Sequence, residues 1–211
     1  MFTTLINIPP EDRAQLTELL NQQLADLSDL SSQTKQAHWN VRGRHFYQHH
    51  KLFEELADGV EEHIDELAER ITTLGGYARG TVRDAARASR LQDFPAEQGD
   101  DQGYVDVLSG RFAECANEVR LAVVAAENLS DSTTADLLTA ISRGLDKSLW
   151  MLEAHMRPLK GDVDADSTTG RDGESERQAS IPNPSKTTRP RETATPRNGN
   201  AKPAKSGKSK S

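Results

Sequence analysis

Residues 45 to 74 run without a proline and with Gly59 as the sole interior glycine. Along them Leu52, Leu56, Val60, Ile64, Leu67 and Ile71 recur every three or four positions, so one stripe of an α-helix is apolar, and Gly75 and Gly76 stop it. Such a stripe needs helical partners, and the sequence supplies them. Residues 10 to 39 open with Pro10 in a first turn, acids just inside it, and then Leu and Ala at helical spacing until Gly43 breaks the pattern. Residues 106 to 128 form a third run. Ser130 and Asp131 read as caps for a fourth, residues 133 to 156, closed by Pro158. A short helical turn over residues 81 to 89 and a loop with Pro95 and Gly99 fill the gap between the second and third runs. The fold class is therefore all-α: a four-helix bundle with one long crossover.

Charge divides the chain of 211 residues. Residues 1 to 159 carry 15 basic and 26 acidic side chains, a net of −11, with nearly all the large apolar residues, and form the expected folded domain. Residues 160 to 177 carry a net of −3. Residues 178 to 211 carry 8 basic groups and 1 acidic, a net of +7, among Pro, Ser and Gly. With almost no apolar residue to bury, residues 160 to 211 read as a disordered tail, basic from 178. The start lacks a basic, apolar signal pattern, and no stretch approaches the ~20 apolar residues of a membrane span. Cys115, the single cysteine, excludes an intrachain disulfide, suits a reducing compartment and reads as a small core residue.

Five of the six histidines lie between residues 35 and 70, within an acidic stretch. On the second helix His50 and Glu54 are four apart, as are Asp65 and Glu69, and the 11 steps from 54 to 65 return to within roughly 20° of the same face. Those steps also separate the pairs by about 16 Å, too far for one ion or a bridged pair. Two antiparallel copies of the helix remove the difficulty. The pairs 50/69 and 54/65 share a midpoint between 59 and 60, beside Gly59, so a two-fold axis there brings His50 to the partner's Glu69 and Glu54 to the partner's Asp65, twice over. His38 completes each site. Two imidazoles with three carboxylates suit Fe(II), with zinc or manganese as other occupants. No Glu-x-x-His motif is present for a two-iron core inside one subunit. The same spacing also fits a solvated acidic face with incidental histidines. His45, His49 and His63 lie off this face and read as surface or packing residues.

The blocks "KQAHWNVRG", "HHKLFEELADGVEEHIDELAERITTLGG" and "TTADLLTAISRGLDKSLWMLEAH", in this order across residues 10 to 158, resemble the Dps family, the DNA-protection proteins of starved bacterial cells within the ferritin-like superfamily. The resemblance implies a ferritin-like bundle and a two-iron ferroxidase centre at a two-fold dimer interface, with His38, His50 and Glu54 from one chain and Asp65 and Glu69 from the other. The family most often has Asp at the position of Glu54. Trp39 matches the tryptophan beside the centre, in a packing or a redox role. The resemblance further implies a shell of twelve subunits around a mineral cavity. Glu127, Asp131 and Asp136 fall near the family's acidic pore positions, although Ser132 stands where an acid is often found and Asp131 doubles as a helix cap.

The implied activity is oxidation of Fe(II), with hydrogen peroxide preferred over oxygen, followed by ferric mineralisation and protection of DNA. The acidic domain repels phosphate, so contact with DNA falls to Lys186, Arg189, Arg191, Arg197, Lys202, Lys205, Lys208 and Lys210 of the tail. The expected location is cytoplasmic and nucleoid-associated. Two other functions fit the same residues: chiefly nucleoid compaction, or iron storage with no DNA binding.

Overall fold

A computed structural model describes residues 2–96 and 98–156, which all fall in one compact unit. They form five helices: α1 (Pro10–Asn40), α2 (Phe46–Thr73), α3 (Val82–Ala88), α4 (Asp101–Asn128) and α5 (Ser132–Met156). There is no strand among the described residues. The domain boundary expected at 159, the closing Pro158 and the basic tail lie outside them.

Two helical hairpins make the bundle, α1 on α2 and α4 on α5, joined through α1 against α4 and α2 against α5. The core is fed by one stripe from each helix. Leu16, Leu20, Leu24, Leu27 and Leu30 come from α1, and Phe53, Leu67 and Ile71 from α2. Leu108, Phe112, Leu138 and Ile141 close it from the other hairpin. Ile64, expected in the stripe of α2, is only partly buried at its margin. Cys115 is in the core as expected, and burial pushes its thiol well above the ordinary range.

The ends of the helices follow local chemistry. At the end of α2 Gly75 takes φ +82°, its amide donates to the Thr72 carbonyl at 2.9 Å, and the Gly76 amide donates to the Ile71 carbonyl at 2.9 Å. This is the pattern of a left-handed cap. A side chain on Gly76 would sit 2.5 Å from a methyl carbon of Thr17, so α1 can approach only a glycine here. Helix α4 starts at Asp101 rather than the expected residue 106, because Asp100 caps it by accepting from the Gly103 amide at 3.1 Å. Gly99 and Gly103 give that first turn a loop-like sequence. Of the two caps expected for α5, Asp131 accepts from the Thr134 amide at 3.3 Å, whereas Ser130 takes φ 56° and turns the chain between α4 and α5.

The long connection, residues 74–100, is held by polar side chains of α1. The Asn21 amide group donates to the Tyr77 carbonyl at 3.2 Å, and its oxygen accepts from the Arg79 amide at 2.8 Å. Gln22 donates to the Ala88 carbonyl at 2.9 Å, Asp26 accepts from the Arg90 amide at 2.9 Å, and Gln33 donates to the Gln92 carbonyl at 3.1 Å. Each contact satisfies a backbone group that no helix ladder reaches.

Candidate metal centre

The turn over residues 41–45 folds α2 back on α1 and stacks His38 on His50, with ring centroids 3.9 Å apart and planes inclined by 20°. The two residues are bonded reciprocally. His38 Nδ1 lies 2.8 Å from the carbonyl oxygen of His50, and His50 Nδ1 lies 2.9 Å from that of His38. A carbonyl only accepts, so each Nδ1 carries the proton. With Nδ1 as the donor, Nε2 is the nitrogen left to take a metal, the arrangement of a metal-ligating imidazole oriented from behind. Phe46 stacks on His50 at 5.2 Å, and His38 is itself 9% exposed.

One turn along α2, Glu54 accepts a hydrogen bond from Lys51 at 2.7 Å, which with the lysine charge holds its carboxyl below the ordinary value. Asp65 and Glu69 are exposed farther along the same helix. From His50 to Glu69 is 19 steps, about 28 Å of axis. No three His, Cys, Asp or Glu side chains gather around one point within the chain, among the described residues. The two ends of the expected ligand set thus lie at opposite ends of one helix. Trp39, beside His38, is 72% exposed, and Tyr47 is 67% exposed, so aromatic surface flanks the histidine pair.

The chain matches the ferritin-like domain family over residues 17–161. It is 38% identical over 151 residues to the DNA protection during starvation protein of Agrobacterium fabrum, covering 72% of this chain and 93% of that one. The chain belongs to the Dps family. Among solved structures, the tetragonal form of Mycobacterium smegmatis Dps superposes with a TM-score of 0.72 at 28% identity, over 76% of this chain and 97% of that one. The Dps protein of Vibrio cholerae O1, described as a member of a broad superfamily of ferritin-like diiron-carboxylate proteins, superposes at 0.69 with 28% identity, over 74% and 98%.

Other residues of this Dps chain take less open positions. Asp131 is 4% exposed, with both carboxylate oxygens on the Arg70 guanidinium at 3.0 and 2.8 Å and a further hydrogen bond from the Thr134 hydroxyl. Burial alone would raise its carboxyl, but the bonds from Thr134 and Arg70 outweigh burial and hold it below the ordinary value. It acts as a cap and an ion-pair partner, which leaves Glu127 and Asp136 as the exposed members of the expected pore trio. His63 packs against Gly144 and lies 3.2 Å from Glu66. His45 is exposed and His49 buried. The reciprocal carbonyl bonds and the Phe46 stack were not read from the sequence. The signal present there was the aromatic four residues before His50, on the same helix face.

Proposed function

We propose that this Dps chain is a ferroxidase that oxidises Fe(II), the substrate, at centres shared across a two-fold dimer axis, and stores the ferric product in a hollow shell. The observation that carries the reading is the histidine pair, whose Nδ1 protons are committed to backbone carbonyls and whose Nε2 lone pairs stand at one end of the acidic face of α2. His38, His50 and Glu54 bind from one subunit, and Asp65 and Glu69 of the same helix serve the neighbouring site. Glu54, already ionised beside Lys51, needs no deprotonation before it takes a cation. Two Fe(II) ions held close together each give one electron to a single hydrogen peroxide. The O–O bond breaks, two protons are taken up, and two waters form without release of hydroxyl radical.

The shell in this reading is a dodecamer of two-fold dimers, with the exposed Glu127 and Asp136 guiding iron inward. The tail, net +7 over residues 178–211, binds DNA against a domain of net −11, and twelve tails acting together raise the avidity. No helix among the described residues is long and apolar enough to cross a membrane, which fits work in the cytoplasm at the nucleoid. The basic tail also favours a second reading, in which compaction of DNA is the main task. Anaerobic addition of peroxide to Fe(II)-loaded protein separates the two. Rapid oxidation with two Fe(II) consumed per peroxide supports the ferroxidase, and oxidation no faster than in buffer rejects it.

A further inference from the structure

Three histidines outside the shared centre, His45, His49 and His155, come together around the start of α2. His49 has a side chain 2% exposed, and its Nδ1 has no hydrogen-bond partner. The nearest acceptor, Asp101 Oδ2, stands 3.6 Å away, beyond a true hydrogen bond. One turn earlier, His45 Nδ1 lies 3.3 Å from the same oxygen, which also accepts the His45 backbone N–H at 2.7 Å. On the other edge of the ring, His49 Nε2 lies 3.4 Å from Nδ1 of His155, in the last turn of α5.

An orphaned buried polar atom calls for a proton, a water or an ion. Asp101 and His155 face the two ring nitrogens of His49 from opposite edges. In the tautomer whose Nε2–H points to His155, the Nδ1 lone pair of His49 faces the Asp101 carboxylate, an arrangement that a cation between them would relieve. The separations of 3.3 and 3.6 Å from the shared oxygen are close to the edge of a tetrahedron with metal–ligand bonds near 2.0–2.1 Å, about 3.3 Å. Two histidines four apart, here the N-cap His45 and His49 in the first turn of α2, together with one carboxylate supply the kind of donors that zinc and iron(II) take.

We propose that His45 Nδ1, His49 Nδ1 and Asp101 Oδ2 form a second divalent-metal site, of the zinc or iron class, built within a single chain and held from behind by His155. As they stand, the three atoms do not converge on one centre. Closing the set takes a turn of the His45 ring, whose side chain is 60% exposed. The site joins the first turn of α2 to the first turn of α4 and does not depend on the shared centre.

Zn(II) is titrated into full-length assembled protein against a chromophoric chelator, for wild type, His45→Gln, Asp101→Asn and Asp65→Ala. Wild type is expected to bind one more Zn(II) per chain than His45→Gln or Asp101→Asn, and His45→Gln to keep the wild-type rate of Fe(II) oxidation. Asp65→Ala should retain that extra ion while losing oxidation, which separates this inference from the reading of the shared centre. Equal stoichiometry in wild type and His45→Gln overturns the proposal. Because His45 is exposed, that variant keeps its fold and the comparison decides even if Asp101→Asn assembles poorly.

Discussion

His38 and His50 are each oriented by the other's backbone carbonyl and their rings stack, so in the proposed centre the loss of either ring removes one ligand and the stack that steadies the other. His50→Ala is therefore expected to slow Fe(II) oxidation by more than about 100-fold, since loss of outer-shell support alone costs about 10- to 100-fold. Asp65→Ala should do the same from the far end of the helix, and both proteins should elute at the size of the wild-type assembly. Wild-type rates in both would remove these residues from the centre. Asp131 gives a test of stability at the same scale. Its carboxylate caps α5 and neutralises a guanidinium that is itself nearly buried, so Asp131→Ala should cost about 3 kcal/mol in thermal unfolding at fixed protein concentration. The folded carboxyl is depressed, so the stabilisation is complete above the unfolded value near ~4 and is lost as pH falls through the lower folded value. The gap between wild type and Asp131→Ala should accordingly shrink below about pH 4.

Helix α1 has two jobs, and only one was legible in its sequence. Its leucines announced a core stripe, and the four long helices and single crossover followed from spacing, glycines and caps. Asn21, Asp26 and Gln33 are polar residues that the leucine spacing says nothing about, and they are buried under the crossover. Periodicity marks where apolar side chains go but not which irregular segment needs hydrogen bonds, so that partnership emerges only in three dimensions. The early start of α4 was hidden for a related reason, as two glycines around Asp100 masked a cap. In the candidate centre, the spacing of His50, Glu54, Asp65 and Glu69 was readable because a helix has a fixed rise and pitch. The orientation of the His38 and His50 rings was not, because it depends on carbonyls brought near by the turn at residues 41–45. If the α1 side chains hold the crossover, Asn21→Leu should raise hydrogen exchange at the Arg79 amide by about 30-fold, the equivalent of about 2 kcal/mol for a buried bond lost. Gln15→Leu, on the exposed side of α1, should leave it unchanged, and equal exchange in both variants would deny the crossover this anchor.

At the scale of the molecule, charge is partitioned between a domain of net −11 and a tail segment of net +7. Removal of residues 178–211 is expected to abolish DNA retardation in a gel while leaving Fe(II) oxidation intact, and retardation by the full chain should weaken steeply with salt through counterion release. Full binding by the shortened chain would move the DNA contact to the domain. The central claim is that each centre is shared between subunits, and a mixture of two inactive proteins tests it directly. One version lacks His38, His50 and Glu54, and the other lacks Asp65 and Glu69. In a mixed dimer one site inherits every defect and the other receives an intact set from both chains. Co-assembled from unfolded chains, the mixture should recover about a quarter of wild-type oxidation, because half of randomly formed dimers are mixed and each holds one complete site of two. A mixture that co-assembles and stays inactive would contradict the shared centre.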